Sequence, residues 1–87
     1  MRILLATTFV VLATPALAGP HCTDEPEHKW LSRADMLERI KPLGHRVEVL
    51  KKTRGNCYEI YGRDKSGRRI EVYFHPISGD VMKTSRL

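Results

Sequence analysis

The chain has 87 residues, 41% hydrophobic and 29% charged, which fits one small globular domain and excludes a second domain or a disordered polymer. Its formal net charge of +5 raises the question of nucleic acid, yet no basic stripe with interleaved aromatics is present to bind one. No Gly-x-Ser-x-Gly elbow, phosphate-cradling glycine loop or His-Glu-x-x-His pair occurs, which argues against most enzyme classes.

Met1 and Arg2 give a short positive start, Ile3 to Ala13 form an apolar run, and residues 14–18 end in an Ala-x-Ala pattern. The run is shorter than the roughly 20 residues a bilayer span needs, and the pattern reads as a secretory signal cleaved between Ala18 and Gly19. No cysteine follows that point directly, so no lipid anchor is expected. The expected organisation is a signal peptide over 1–18, an extended leader over 19–29 and a folded domain over 30–87. Export argues further against nucleic acid. The basic balance still admits an acidic protein partner, or contact with an anionic membrane surface without an anchor.

The leader is polar and acidic, with Asp24, Glu25 and Glu27 beside Cys22. Cys22 and Cys57 are the two cysteines of the chain, and an exported domain this small often needs a covalent staple. A bridge between them would contribute about 3.8 kcal/mol by loop-closure entropy. Two free thiols or a metal-binding pair is the competing reading. Ser32 followed by Asp35 forms an N-terminal capping pattern, with Leu31 and Met36 at the two positions of a hydrophobic staple. Ala34, Met36, Leu37 and Ile40 supply the apolar face of a short helix over about 33–41, ended by Pro42 and Gly44.

Everything after Gly44 reads as strand and turn. Asp64-Lys65-Ser66-Gly67 predicts a three-residue loop with Gly67 left-handed. That loop pairs Tyr58 with Phe74, Ile60 with Val72 and Gly62 with Ile70. Tyr58, Ile60, Ile70, Val72 and Phe74 then share one face, and Glu59, Tyr61, Glu71 and Tyr73 the other. Pro76 to Gly79 form the next turn and place Val81 beside Phe74. Thr53-Arg54-Gly55 suggests a loop that pairs Leu50 with Tyr58. Val47 and Val49 would then point away from the core unless a bulge near Val49–Leu50 turned them back; the register of this first strand stays open. The fold class is α+β: one short helix on a four-stranded antiparallel meander, α-β-β-β-β.

A meander alternates its ends, which sorts the side chains. Cys22, Cys57 and the helix start fall at one end (the far end), so the two cysteines can meet, which favours the bridge. His21, His28 and His75 also map there and raise a metal reading, although the spacing matches no metal motif. Arg39, Lys41, Arg46, Arg63, Lys65, Arg68 and Arg69 gather at the other, near end. Tyr61, Glu71 and Tyr73 make an aromatic–acidic stripe, either covered by the leader or open to a partner, and with Arg63, Lys65, Arg68 and Arg69 they form the candidate partner surface. No catalytic residue and no cofactor is expected.

Trp30-Leu31-Ser32, Gly44 and Cys57-Tyr58-Glu59-Ile60-Tyr61 resemble a small periplasmic PepSY-domain protein. Asp64-x-x-Gly67-x-x-Ile70-Glu71-Val72-Tyr73-Phe74 and Pro76-x-x-Gly79 continue the match, which runs from Cys22 to about Lys83. Two departures are His75, where such proteins often carry Asp, and Pro42 near the helix end. The resemblance implies a helix on an antiparallel sheet, similar to half of a β-lactamase inhibitory protein, located in the periplasm. It brings no catalytic residues. It implies a non-enzymatic module that modulates another, unidentified envelope protein, such as a protease (inhibiting or assisting it) or a membrane redox protein. The alternative is an accessory role in handling copper, zinc or haem through His21, His28 and His75.

Overall fold

The computed structural model describes residues 19–87. The expected signal segment and Ala18 lie outside the described residues. Ser32 Oγ accepts the Asp35 N–H at 3.1 Å and caps helix α1, Arg33–Ile40. Met36 and Ile40 are buried, and Leu31 packs against them from the staple position. Pro42 has no N–H for the carbonyl four residues back, so Lys41–Leu43 tighten into a 3-10 turn. Gly44 closes that turn at φ 77°, the left-handed conformation that glycine adopts without strain.

Four strands follow: β1 (Arg46–Lys52), β2 (Tyr58–Arg63), β3 (Arg69–Phe74) and β4 (Val81–Arg86). They form one antiparallel sheet in the order β1-β2-β3-β4, the meander expected from the sequence. Tyr58, Ile60 and Gly62 lie opposite Phe74, Val72 and Ile70, as the Asp64–Gly67 loop requires. Asp64 holds that loop with one carboxylate oxygen, which accepts from the Ser66 N–H, the Ser66 hydroxyl and the Arg68 N–H. Val81 lies opposite Phe74 across the turn after His75. In that turn His75 Nδ1 accepts the Ile77 and Ser78 N–H groups at 3.2 and 3.3 Å, a side-chain-to-backbone contact that holds the turn.

The first hairpin differs from the expectation. Leu50 faces Ile60, not Tyr58, and Lys52 faces Tyr58. The loop runs Arg54-Gly55-Asn56, one residue later than the expected Thr53-Arg54-Gly55, and Asn56 takes its left-handed position at φ 59°. Asparagine tolerates that conformation. The bulge sits at Glu48, between Val47 and Val49, just before the expected place. It returns Val47 to the core side opposite Gly62, while Val49 stays on the outer face, 48% exposed. Gly62 makes this crossing possible, since a Cβ there would collide with the Arg46 carbonyl.

The inner face of β1–β3 meets α1 in one core of Met36, Ile40, Leu50, Tyr58, Ile60, Ile70, Val72 and Phe74. Tyr58 donates its hydroxyl to the Leu31 carbonyl at 2.6 Å and stacks edge-on with Trp30, centroids 5.9 Å apart, so the aromatic pair closes the helix entrance. Cys22 and Cys57 are joined, and the Cys22 N–H donates to the Gly55 carbonyl at 2.8 Å. The free-thiol and metal-pair readings of these cysteines are thereby set aside.

Three stability outcomes follow from this packing and its covalent tie. Gly62→Ala is expected to cost at least about 2 kcal/mol by urea denaturation, since backbone must move. Gly67→Ala, with a positive φ but open space around it, should cost about 1 kcal/mol. Replacing Cys22 and Cys57 together by alanine should lower unfolding free energy by about 3–4 kcal/mol.

Candidate functional site

The outer face carries a checkerboard made by the β2–β3 register. Glu59 lies opposite Tyr73, and Tyr61 opposite Glu71, so each carboxylate is flanked by two phenols. The two halves differ in exposure. Glu59 and Tyr73 are each only 2% exposed, whereas Tyr61 and Glu71 are half-buried. The leader accounts for part of this: Gly19 lies directly against the Tyr73 ring, and the Pro20 carbonyl sits beside Gly55 and Cys57. Any Cβ at Gly19 would overlap Tyr73. The leader and the open surface thus divide the stripe between them. Tyr73, expected on the contact surface, is instead covered.

A buried carboxylate requires a partner. Glu59 finds it in Lys51, its neighbour on β1, at 3.3 Å. The hydrogen bond and charge of Glu59 hold the Lys51 ammonium above its ordinary value. Lys51 also lies 5.3 Å above the Tyr61 ring, a cation–π contact. Burial, then hydrogen bonds to Glu59 and Glu71, push the Tyr73 phenol far up. Tyr61 rises too, chiefly through the Glu59 charge, and Glu71 is held down chiefly by its hydrogen bond from Tyr73. The cluster is a neutral-phenol, charged-carboxylate network locked by one lysine.

Toward the near end the outer face changes sign. Arg46 lies opposite Arg63, and Arg63 opposite Arg69, so three arginines stand in register across three strands. Like charges directly opposite each other destabilise a sheet. Among the described residues, Glu48 is the carboxylate that approaches this row, 3.9 Å from Arg46 and 3.6 Å from Arg63. Arg46 remains 75% exposed. Lys65 and Arg68 extend the row into the β2–β3 loop, and Arg63 braces that loop by donating to the Gly67 carbonyl at 2.9 Å. Beside the row lies an open band of Val49, Tyr61 and Glu71.

Other charges fall differently from the expectation. Arg39 reaches back to the Ser78 carbonyl at 3.2 Å and so braces the β3–β4 turn, away from the near end. The acidic leader is compensated, Glu25 by Lys29 and Glu27 by Lys52, each at 2.9 Å. The three histidines are separately engaged: His21 with Asp24 at 2.8 Å, His75 with its turn, and His28 exposed on a 3-10 turn. Among the described residues, no group of three or more His, Cys, Asp or Glu side chains could hold a metal ion. Sequence reasoning missed Lys51 as the counter-ion of Glu59; carrying the β1–β2 pairing one loop position further would have found it.

A family model described as peptidase propeptide and YPEB domain matches residues 2–85. No curated protein and no solved structure matches the chain.

The network sets a stability profile in pH. The raised Tyr73 phenol contributes stability that is complete below pH 10 and lost as pH rises toward its folded value. The lowered Glu71 contributes stability present above pH 4.5 and lost as pH falls through its folded value. Urea midpoints across pH should therefore drop on both sides. Tyr73→Phe should cost about 1.5–3 kcal/mol at pH 7, because two carboxylates lose a donor, and should flatten the alkaline limb.

Proposed function

The chain belongs to the family of peptidase propeptide and YPEB domains, and from that premise we propose that it is an exported, non-enzymatic binding module that regulates another envelope protein. The family's propeptide description favours a protease as that partner. The supporting observation is the arginine row, Arg46, Arg63 and Arg69, standing beside the open Val49–Tyr61–Glu71 band. A sheet that keeps three like charges in register gives up stability, and a docked anionic surface restores it. Tyrosine and arginine side by side also match the composition of interface centres. The disulfide fits an oxidising compartment. Among the described residues no helix is long and apolar enough to cross a membrane.

The partner would present an acidic patch rimmed by apolar groups. Regulation then follows from occupancy: a module without catalytic groups changes another protein's activity only by covering, holding or releasing a surface of it.

The test is affinity capture from envelope extract with the full chain and with an Arg63→Glu/Arg69→Glu variant of equal circular dichroism, followed by protease assay of what is retained. The intact chain should retain one protein specifically, with proteolytic activity changed when the chain is added in excess, and the variant should bind it at least about tenfold more weakly. Equal retention by both chains, or nothing above background with either, overturns the reading. Export is checked separately by the mass of the protein recovered from the periplasm, which should begin at Gly19.

A further inference from the structure

Charge is distributed very unevenly along the axis of the sheet. The near end collects Lys41 from the 3-10 turn, Arg46 from the start of β1, Arg63, Lys65, Arg68 and Arg69 from around the β2–β3 loop, and Arg86 from the end of β4. Three acidic residues, Glu38, Glu48 and Asp64, accompany these seven basic ones. The other seven basic and seven acidic described residues cancel, so the whole net charge of residues 19–87, +4, stands at one end. A terminal carboxylate on Leu87 would lower that figure to +3 and leave its sign.

These stretches form one surface. A Cβ at Gly44 would overlap the Lys65 side chain, so the turn after α1 and the β2–β3 loop touch. The Leu87 N–H donates to the Arg69 carbonyl at 3.0 Å and holds the end of β4 beside them. The acids of this end are already engaged: Glu38 with Lys41, Glu48 with Arg46 and Arg63, and Asp64 with the N–H and hydroxyl donors of its own loop. Among the described residues no carboxylate comes within ion-pair distance of Lys65, Arg68, Arg69 or Arg86, and all four are exposed. Two large apolar side chains, Leu43 and Leu87, stand exposed among these cations.

We propose that the near end docks reversibly on the anionic headgroup surface of a lipid bilayer, with Lys65, Arg68, Arg69 and Arg86 against the headgroups and Leu43 at the acyl boundary. Attraction to a charged plane decays over about 8 Å at physiological ionic strength, so the charge of the tip counts and that of the whole domain does not. Clusters of about four to eight basic residues are the size that anionic bilayers hold. The exposed strap acids Asp24, Glu25 and Glu27 lie at the opposite end, where an anionic plane repels them, and the domain is oriented end-on. A bilayer is favoured over a folded acidic protein on two counts. The free cations sit on projecting turns and strand ends, and mobile headgroups meet any spacing of such charges, whereas fixed carboxylates must match one. Exposed leucines between cations also suit the headgroup boundary, where charged tips and apolar side chains are both accommodated. Docked in this way, the domain leaves its Val49–Tyr61–Glu71 band open to the side. The inference rests on the export part of the reading above and adds where the module is held while it meets its partner.

The experiment is flotation of the protein recovered from the periplasm with vesicles of phosphatidylcholine, alone or carrying about 30% phosphatidylglycerol. The anionic vesicles should bind at least about a hundredfold more strongly than the neutral ones, and raising salt from about 50 to 500 mM should abolish the difference. Lys65→Glu/Arg68→Glu, with unchanged circular dichroism, should weaken binding at least about tenfold, and Leu43→Ser about threefold. Lys29→Glu/Arg54→Glu makes the same change in net charge at the far end and should stay within about threefold of the parent. Equal binding to both vesicles, no binding to either at low salt, or equal loss through the near-end and far-end variants overturns the inference. So does capture of an acidic protein that depends on Lys65 and Arg68 when no vesicle is bound, since the occupant is then a protein. Vesicle binding that persists where affinity capture retains no protein supports the docking and removes only the partner reading. Capture that survives Lys65→Glu/Arg68→Glu while vesicle binding is lost supports it as well and separates the two surfaces.

Discussion

The covalent tie between Cys22 and Cys57 determines what the outer face of the sheet can do. Cys57 lies immediately before β2 and is fully buried, so the tie fixes the leader at the far end of the sheet and directs Gly19 and Pro20 over Tyr73 and the Gly55 loop. With the leader held there, Glu59 and Tyr73 lie under cover and Tyr61 and Glu71 do not. Without it, a domain this small would have to order an acidic, Pro-containing segment against a sheet by weak contacts alone. The strap thereby converts a uniform stripe into a covered half and an open half. Only the open half adjoins the arginine row.

The two halves manage charge in opposite ways. Under the strap, Glu59 is neutralised by Lys51 and surrounded by phenol donors, so no buried charge is left without a partner. At the near end Arg46 and Arg63 share Glu48 beside Arg69, and exposure is what makes the like charges tolerable. A structural role explains the first arrangement completely. It does not explain the second, since alternating signs across Arg46, Arg63 and Arg69 would stabilise the same sheet better. That asymmetry is the physical ground for placing partner contact at the near end.

Much of this architecture was legible from residues. The central hairpin was fixed because Asp64-x-x-Gly67 admits one loop type and every apolar residue on both strands agrees with the resulting register. The helix was bounded by Ser32 and Pro42, each of which acts through a backbone hydrogen bond it makes or cannot make. The first hairpin misled because Thr53-Arg54-Gly55 looked like the whole loop, whereas the loop closes one residue later on Asn56, which tolerates the left-handed conformation. One position of loop moved Leu50 from Tyr58 to Ile60 and made Lys51 the partner of Glu59. The covering of Tyr73 was not legible at all, since nothing in the alternation of a strand says which of its faces an irregular leader will cross.

Tyr73 apart, the residues hardest to foresee lie around β1, and for a common reason. Its bulge breaks the period of two that makes strands readable, and it does so where Gly62 lets the Arg46 backbone approach. The same irregularity sends Val47 to the core side and aligns Arg46 with Arg63 and Arg69, so the edge of the core and the arginine row have one structural origin. Straightening β1 would pair each residue regularly, turn Val47 away from the core and dissolve the row. A bulge at the edge of a sheet also blunts indiscriminate strand pairing, so the surface it leaves favours a partner that brings a matching charge over one that brings only an extended backbone.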